Sequence, residues 1–242
     1  MYLQGYSPST ISAYLSAISF IDKLFYESNP RQPFVVRKLL EGIRRTCPPT
    51  SPSRLPVTLH ILSRLLSVLP AILPSNFEVS LFKSMFLLAF FGLLRVGEIT
   101  VTPGRPDHAI RVSSVQDHFP HYISFKIPSS KTDQLALGHH IHLSQFADRQ
   151  LCPVHHLHAY LFMSHPSTYL FENFSHHPIS RHRFVSVLKR ALRALNIPIG
   201  PFNSHSFRIG GATFLHDLGY SNEQIAQAGR WKSQAYSLYV RT

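Results

Sequence analysis

His205-Ser206-Phe207-Arg208 is the most informative stretch of this chain, and Gly229-Arg230-Trp231, Tyr236 and Tyr239 follow it. Residues three apart lie on one face of a helix, so His205 and Arg208 can converge on a single anion. A tyrosine further along the chain can supply an oxygen nucleophile. This combination favours attack on a phosphodiester.

The charge balance is consistent with a phosphate-rich partner. The 242 residues include 24 Lys and Arg against 12 Asp and Glu, which gives a formal net charge of +12. Such an excess of positive charge is typical of proteins that bind nucleic acid. Charge alone also fits a basic protein without a nucleic-acid partner, so the motifs must separate the two interpretations.

Composition and cysteine usage predict a globular intracellular protein. A hydrophobic content of 44% is enough for one good core and a small second one. The two cysteines, Cys47 and Cys152, lie far apart and indicate no disulfide framework, as in a reducing compartment. The apolar run Met85–Leu94 is too short to cross a bilayer, and the N-terminus resembles neither a secretory signal nor a transit peptide. We expect no membrane association and a nuclear location.

Three segments can be distinguished along the chain. Residues 1–46 read as two helices, one capped by Ser9-Thr10 and ending at Asn29-Pro30, and one following Pro33. Residues 47–56 form a linker, because four of these ten residues are proline. Residues 57–242 contain enough periodic apolar sequence to form the main domain.

The main domain is predicted to be mainly helical with one small antiparallel sheet, an α+β fold. Thr58 begins a helix, and Phe77–Leu94 is a helix apolar nearly all round, as a central core helix would be. Between Ile110 and Leu143 the apolar residues alternate, which predicts a hairpin with Lys131 near its tip. Ser180–Leu195 has a core-facing apolar stripe and a basic outer face formed by Arg181, Arg183, Lys189, Arg190 and Arg193.

Arg95 ends the apolar central helix in the sequence Leu93-Leu94-Arg95-Val96-Gly97-Glu98-Ile99. A guanidinium group so close to a core needs a carboxylate or a phosphate as its partner. Glu98 could pair with Arg95 in a purely internal ion pair, or it could orient Arg95 toward a ligand. Both interpretations remain open at this stage.

The ordered set Arg95, Lys131, His205, Arg208, Trp231 and Tyr239 resembles that of the tyrosine recombinase family, also called the phage integrase family. The wording of the motifs, including Ser130-Lys131-Thr132-Asp133-Gln134 and His205-Ser206-Phe207-Arg208-Ile209-Gly210-Gly211, looks most like recombinases of DIRS and crypton mobile elements of eukaryotes. The resemblance covers nearly the whole chain. It implies a tyrosine recombinase catalytic domain preceded by a partial helical core-binding domain.

The resemblance also implies a role for each of these residues. Arg95 and Arg208 would clamp the scissile phosphate, with Glu98 supporting them, and bidentate guanidinium groups suit its oxygen atoms. His205 would exchange a proton with the nucleophile or the phosphate, and Trp231 would donate through its indole N–H. Lys131 would protonate the departing 5′ oxygen.

Each role has a structural alternative. His205 could merely cap a helix, Lys131 could be a solvated hairpin charge, and Trp231 could be only a core residue. For the nucleophile, Tyr239 fits the family pattern better than Tyr236, which lies three residues earlier. A phenol of pKa near 10 needs cationic neighbours or a base to react at neutral pH.

The sequence predicts neither a metal nor a cofactor. It shows no carboxylate cluster suited to two Mg²⁺ ions. Cys152 lies close to His155, His156 and His158, but a structural zinc site needs paired ligand spacings, and no second cysteine lies near. We interpret this stretch as a helix start with Pro153 in its first turn and Leu157, Tyr160 and Leu161 packing inward.

The expected activity is cleavage and rejoining of double-stranded DNA through a 3′-phosphotyrosyl intermediate, in site-specific recombination or DNA integration by a mobile element. The N-terminal helices and the catalytic domain would hold the duplex from two sides, with phosphate contacts dominating. The chain is shorter than family members at both ends, which leaves a homotetramer on DNA open. A type IB topoisomerase-like enzyme and a DNA-binding protein without turnover are the alternatives. Basic side chains of both segments are the expected DNA contacts: Arg37, Lys38, Arg44, Arg45, Arg181, Arg183, Lys189, Arg190 and Arg193.

Overall fold

The computed structural model describes residues 4–25, 33–47, 54–102, 104, 106–129, 137–164, 166–231 and 233–241. The chain divides into two compact units, Met1–Ser53 and Arg54–Thr242. The division falls inside the proline-rich stretch 47–56, of which residues 48–53 lie outside the described ranges.

The first unit contains two helices, α1 (Pro8–Phe25) and α2 (Phe34–Thr46). Helix α1 begins before the predicted Ser9-Thr10 cap, because the side chain of Ser7 accepts a hydrogen bond from the Thr10 amide (3.2 Å). Its predicted end at Asn29-Pro30 lies outside the described residues. Ile11, Leu40 and Ile43 form the only buried apolar cluster found in the described part of this unit. Many apolar side chains therefore remain exposed, among them Ile18, Phe20, Ile21, Leu24, Phe25, Phe34, Val35 and Leu39.

The second unit is built around a central helix, α4 (Asn76–Phe91), that is buried on nearly every side. Helix α3 (Leu59–Ile72) precedes it, and the Thr58 hydroxyl accepts the Ile61 amide as predicted for a helix start (3.2 Å). Helices α3, α6 (Pro153–Met163) and α8 (His205–Asp217) pack against α4. The all-round apolar pattern of α4 thus reflects its central position.

The predicted antiparallel sheet is present and has three strands, β1 (Gln116–His118), β2 (Tyr122–Ile127) and β3 (His139–Ser144). Their order is β1-β2-β3, and Phe125 pairs with Ile141. Ile123, Phe125 and Ile127 are buried, which confirms the alternation read from the sequence. Lys131 lies outside the described residues, between β2 and β3.

Helix α6 begins as the sequence predicts. Pro153 stands in its first turn, and the Cys152 sulfur accepts a hydrogen bond from the His155 amide (3.5 Å). Leu157 and Tyr160 are buried in the core. Within the described ranges, no group of three His, Cys, Asp or Glu side chains is placed to hold a metal ion. In the same ranges, no helix has both the length and the apolar character needed to span a membrane.

The central helix ends three residues earlier than predicted. Gly92 caps α4, and Leu93 adopts a left-handed conformation with φ 45° before the short helix α5 (Val96–Ile99) begins. This break is local backbone geometry that apolar periodicity does not encode. It leaves the carbonyl oxygens of Gly92 and Leu93 free of helical partners, and both accept hydrogen bonds from buried arginines.

The remaining helices are α7 (Arg181–Ala194) and α9 (Asn222–Gly229), followed by a 3-10 helix at Gln234–Leu238. Ser180 caps α7, and its buried face contains Phe184, Val187, Leu188, Ala191 and Leu192, as predicted. Two further 3-10 helices, Pro106–His108 and Val112–Ser114, precede the sheet.

The segment before α3 is docked on the main unit and is not part of a free linker. The Leu55 amide donates to the Pro201 carbonyl (3.0 Å), and the Val57 amide donates to the Ser206 carbonyl (2.9 Å). Helix α8 approaches so closely that a Cβ atom on Gly210 would lie 1.8 Å from the Val57 carbonyl oxygen. Arg54, Leu55 and Pro56, which the sequence analysis includes in the linker, thus belong to the second compact unit.

Candidate active site

His205 stands at the first position of α8, and its ring is free for contacts outside the helix. The side chain of Asn203 accepts the His205 amide (2.8 Å), so Asn203 provides the capping contact. The His205 Nε2 atom lies 3.1 Å from the Tyr239 hydroxyl oxygen, within hydrogen-bond distance. The structure thus joins a base and a phenol that are 34 residues apart in the sequence.

Tyr239 follows the last 3-10 helix and is held against α8. The Thr213 hydroxyl donates to the Tyr239 carbonyl (3.3 Å) and accepts the Arg241 amide (3.1 Å). Tyr236 lies within the 3-10 helix, and Tyr239 is the residue that ends it. Of the two, Tyr239 is the one whose ring meets His205 and Trp231 among the described residues.

Arg208 lies one helical turn after His205 and is buried, with a relative exposure of 1%. Its two terminal nitrogens donate to the carbonyl oxygens of Leu93 and Gly229. The Trp231 ring covers the guanidinium group at 4.2 Å, and the Tyr239 ring lies 5.6 Å away. Such stacking suits a weakly hydrated guanidinium. In this structure Arg208 is therefore beneath the aromatic pair and does not face solvent.

Gly229 permits the stacking of Trp231. A Cβ atom at this position would lie 1.7 Å from the Trp231 ring, so only glycine leaves room for the indole. Arg230, between them, adopts a left-handed conformation with φ 58° and ends α9. This turn sends the Arg230 side chain inward, toward α5.

Glu98 connects α5 to Arg95 and Arg230. One carboxylate oxygen accepts from the Arg95 side chain (3.1 Å), and the other accepts from the Arg95 amide (2.8 Å) and from the Arg230 side chain (2.9 Å). Glu98 is 3% exposed. The internal Arg95–Glu98 ion pair therefore exists, and Glu98 also orients a second arginine.

Positive charge in this pocket exceeds negative charge. Arg95, Arg208 and Arg230 surround a single described carboxylate, Glu98, which makes ion pairs with Arg95 and Arg230. Burial, followed by the neighbouring Arg95, lowers the pKa of Arg208 from its ordinary value. The Nε–H groups of Arg208 and Arg230 are buried without a hydrogen-bond partner among the described residues. Buried donors without partners are rare, so these two groups are candidates to bind an acceptor that the protein itself does not supply.

The same charges act on His205. Burial lowers its pKa most, and Arg54, Arg208, Arg95 and Arg181 lower it further. A lowered pKa keeps the imidazole neutral at pH 7, so Nε2 can accept the Tyr239 proton.

The other predicted site residues lie elsewhere or differ in their surroundings. Lys131 lies outside the described residues. On α7, the Arg183 side chain pairs with Glu78 (2.9 Å), and Arg190 donates to the Ile72 carbonyl. On α2, the side chain of Lys38 pairs with Glu41 (2.9 Å). The remaining predicted DNA contacts are exposed in the two units: Arg37, Arg44, Arg45, Arg181, Lys189 and Arg193.

Sequence reasoning missed two arginines of the site. Arg230 lies in the motif Gly229-Arg230-Trp231, but the sequence analysis assigns it no role. A charged residue directly after a glycine that ends a helix is a signal that could have identified it as a site residue. Arg54 was assigned to the linker, yet it lines the same cleft as His205. Its proximity depends on the Leu55 and Val57 hydrogen bonds, which the sequence does not reveal.

Solved structures with a similar fold include several recombinases. The XerH site-specific recombinase bound to difH substrate gives a TM-score of 0.58 at 16% identity, covering 78% of this chain and 51% of that chain. The Tn1549 transposon integrase in complex with circular intermediate DNA gives a TM-score of 0.64 at 11% identity, and the match covers 100% of this chain and 78% of that chain. A lambda integrase dimer bound to a COC′ core site gives a TM-score of 0.60 at 16% identity, and the match covers 98% of this chain and 65% of that chain. This chain thus spans about half the length of XerH.

These similarities show the fold, which is that of the tyrosine recombinase catalytic domain: mainly helical with a small three-stranded antiparallel sheet. The predicted fold class is confirmed. No protein-family model matches the chain, and no curated protein matches its sequence.

Proposed function

We propose that this chain cleaves and rejoins strands of double-stranded DNA through a 3′-phosphotyrosyl intermediate on Tyr239. The observation that carries the proposal is the pairing of the Tyr239 hydroxyl with His205 Nε2 (3.1 Å) beside an arginine-rich pocket. A neutral imidazole supplies the base that a phenol needs at neutral pH, and the arginines supply the charge that a phosphorane needs.

In the proposed reaction, the Tyr239 oxygen bonds to phosphorus while the bond from phosphorus to the 5′ oxygen breaks. The phenolic proton passes to His205, and the departing 5′ oxygen takes a proton from Lys131. One phosphodiester replaces another, so a 5′-hydroxyl of the same or another strand can reverse the reaction. Arg95, Arg208 and Arg230 would share the charge that develops on the non-bridging oxygens.

DNA must displace part of the covering segment before Arg208 can contact a phosphate. The Trp231 and Tyr239 rings lie over its guanidinium group, and two backbone carbonyls already accept its terminal N–H groups. Its Nε–H is buried without a partner among the described residues, so it could donate to an incoming oxygen once the covering rings have moved. A shift of residues 231–241 away from α8 would open this route while Tyr239 turns toward phosphorus.

The finer identity is also part of the proposal. The motif wording supports an enzyme of a mobile element, closest to the DIRS and crypton kinds, acting in recombination or integration in the nucleus. The solved structures with this fold include complexes with DNA, which supports duplex DNA as the partner. Assembly as a homotetramer on two DNA sites would follow from the recombination chemistry.

The direct test uses nicked duplexes of randomised sequence, in which a cleaved strand loses its short 5′-hydroxyl fragment and cannot be resealed. We expect a protein–DNA adduct on a denaturing gel with the wild type. Tyr239→Phe should abolish the adduct, and the matched control Tyr236→Phe should retain it. Loss in Tyr236→Phe alone would transfer the nucleophile role to Tyr236.

Three further assays on the wild-type protein distinguish recombination from the alternative functions: plasmid relaxation, two-site recombination and a native-gel shift. A type IB topoisomerase-like enzyme would relax supercoiled plasmid and give no product in a two-site recombination assay. A DNA-binding protein without turnover would shift duplex DNA on a native gel and form no adduct with any variant. Either result would overturn recombination.

A further inference from the structure

A second basic site lies beside His205, in a cleft of about 550 Å³. Its walls come from the segment before α3, the outer side of α7 and the loop that leads into α8. Charged and polar side chains line its rim, and Val185, Ile199 and Phe202 contribute its apolar surface. The polar and charged lining residues are Arg54, Arg181, His182, Lys189, Asn203, Ser204 and His205.

Arg54 is fixed at this cleft by its neighbours in the chain. The Leu55 and Val57 amides donate to the carbonyls of Pro201 (3.0 Å) and Ser206 (2.9 Å), which hold this segment against the start of α8 and the loop before it. Val57 is fully buried, and the close approach of Gly210 leaves its backbone no room to move away. The Arg54 side chain is therefore presented from a rigid backbone.

Four of the five Arg and Lys residues of α7 fall into two groups. Arg183 and Arg190 are turned toward α4 and the end of α3, where Glu78 and the Ile72 carbonyl accept their N–H groups. Arg181 and Lys189 instead line the cleft with Arg54. Helix spacing explains this, since positions 181, 185 and 189 lie four apart along one side.

The three cleft cations have no partner within the described part of the chain. All three are exposed, and neither an ion pair nor a side-chain hydrogen bond links Arg54, Arg181 or Lys189 to another described residue. No Asp or Glu lines the cleft. Three converging cations without an anion form a surface complementary to phosphate.

His205 connects this cleft to the active site. It lines the cleft, while its Nε2 atom meets the Tyr239 hydroxyl. Arg54 and Arg181 are near enough to lower the pKa of His205, after the larger effect of burial. A DNA strand with one phosphate at Tyr239 can therefore place a neighbouring phosphate over Arg54, Arg181 and Lys189, whereas a free anion would fill only one of the two places.

We propose that Arg54, Arg181 and Lys189 bind backbone phosphate of the DNA strand that Tyr239 attacks, next to the scissile position. This inference rests on the proposed function for the identity of its ligand. The cleft positions the strand and does not read its sequence, because phosphate contacts have the same chemistry at every base pair.

The test measures DNA binding in a background that cannot cleave. The full chain carrying Tyr239→Phe is titrated against fluorescent duplexes by anisotropy over a series of salt concentrations. Arg54→Gln, Arg181→Gln and Lys189→Gln are added singly and together. The matched control is Arg149→Gln, which removes one exposed charge of the same unit away from the cleft.

We expect each cleft substitution to weaken binding about tenfold at low salt and to reduce the salt slope by about one, equally for duplexes of different sequence. Arg149→Gln should change neither quantity. Thermal unfolding should be unchanged in the cleft variants, since Arg54, Arg181 and Lys189 are exposed and make no ion pair or side-chain hydrogen bond with a described residue. Equal effects of cleft and control substitutions would overturn the inference, because they would reflect total charge alone.

Two further arms separate the explanations. If isothermal titration shows orthophosphate binding that the cleft variants lose while DNA affinity is retained, the cleft is a site for free anions and the inference fails. The adduct assay on Tyr239 is independent of this titration. A missing adduct with normal cleft effects would refute the proposed function alone, and a normal adduct without cleft effects would refute this inference alone.

Discussion

As the proposed base, His205 can act only while its imidazole is neutral, and its surroundings extend that pH range toward acid. Burial and the cations Arg54, Arg208, Arg95 and Arg181 lower its pKa below the ordinary value of 6.5. Activity is lost as the pH falls through the lowered pKa, since protonated His205 cannot accept the Tyr239 proton. The second-order rate constant of adduct formation should therefore have an acidic limb below pH 6.5.

The same residue offers an internal control. Arg54→Gln removes the cation that lowers the pKa of His205 most after burial, so the acidic limb should move upward toward pH 6.5. Arg149→Gln should leave it in place. An acidic limb at or above pH 6.5 in the wild type would contradict the assignment of His205 as the base.

Gly229 is a position where one methyl group should disturb the site. Gly229→Ala places a Cβ atom 1.7 Å from the Trp231 ring, so the indole must leave Arg208. Overpacking of this kind costs about 1–3 kcal/mol. We expect a lower thermal midpoint and loss of adduct formation. Gly97→Ala, where nothing lies within 4 Å, should keep the wild-type midpoint.

At the residue scale, the sequence predicted the identity of the site residues more accurately than their arrangement. His205, Arg208, Trp231 and Tyr239 meet in the structure as their motifs suggested. The covering of Arg208 by the aromatic pair was not foreseen, because it depends on the left-handed Arg230 and the missing side chain of Gly229.

At the scale of helices and strands, Glu98 links α5 to the end of α9 through its hydrogen bond with Arg230. Glu98 accepts hydrogen bonds from Arg95 and Arg230 and is 3% exposed. Glu98→Gln removes the one carboxylate of this arginine cluster among the described residues and leaves buried guanidinium groups uncompensated. The expected loss in the free energy of unfolding is about 3–5 kcal/mol, measured by urea denaturation.

The matched control is Glu78→Gln, which breaks the pair between α4 and α7. The Arg183 side chain is 37% exposed, so solvent screens this pair and the loss should be about 0–1 kcal/mol. Equal losses in the two variants would contradict the special role assigned to Glu98.

Periodicity predicted the elements whose faces are uniformly buried, such as α4, α7 and β2. It overestimated the length of α4, because the turn at Gly92 and Leu93 lies inside an unbroken apolar run. It also missed that Leu55 is hydrogen-bonded to Pro201 of the main unit, since a proline-rich composition obscures an isolated backbone hydrogen bond.

Across the whole molecule, the net charge of +12 predicts DNA binding dominated by phosphate. The logarithm of the affinity of the Tyr239→Phe protein should fall linearly with the logarithm of salt concentration, by roughly 0.9 per phosphate contact. Duplexes of unrelated sequence should give similar slopes in the anisotropy titration. An affinity that does not change with salt concentration would show that phosphate contacts do not dominate DNA binding.

The fold of the whole molecule was predicted from the order of several motifs along the chain. No single motif would have been specific enough. Arg95, His205 and Tyr239 are separated by long stretches of chain, and their convergence depends on how α4, α5 and α8 pack. The sequence alone predicts that order but contains no distances. Hence the 3.1 Å contact between His205 and Tyr239 could be found only in the structure.

The central claim, that Tyr239 becomes joined to the 3′ end of a cleaved strand, is tested most directly by labelling the two ends of a nicked substrate separately. We predict that a 5′-label travels with the protein on a denaturing gel, and that peptide mapping places the linked nucleotide on Tyr239. The fragment released should have a free 5′-hydroxyl that a kinase can phosphorylate. Label transfer from the 3′ side, or a linkage to any residue other than Tyr239, would contradict the account.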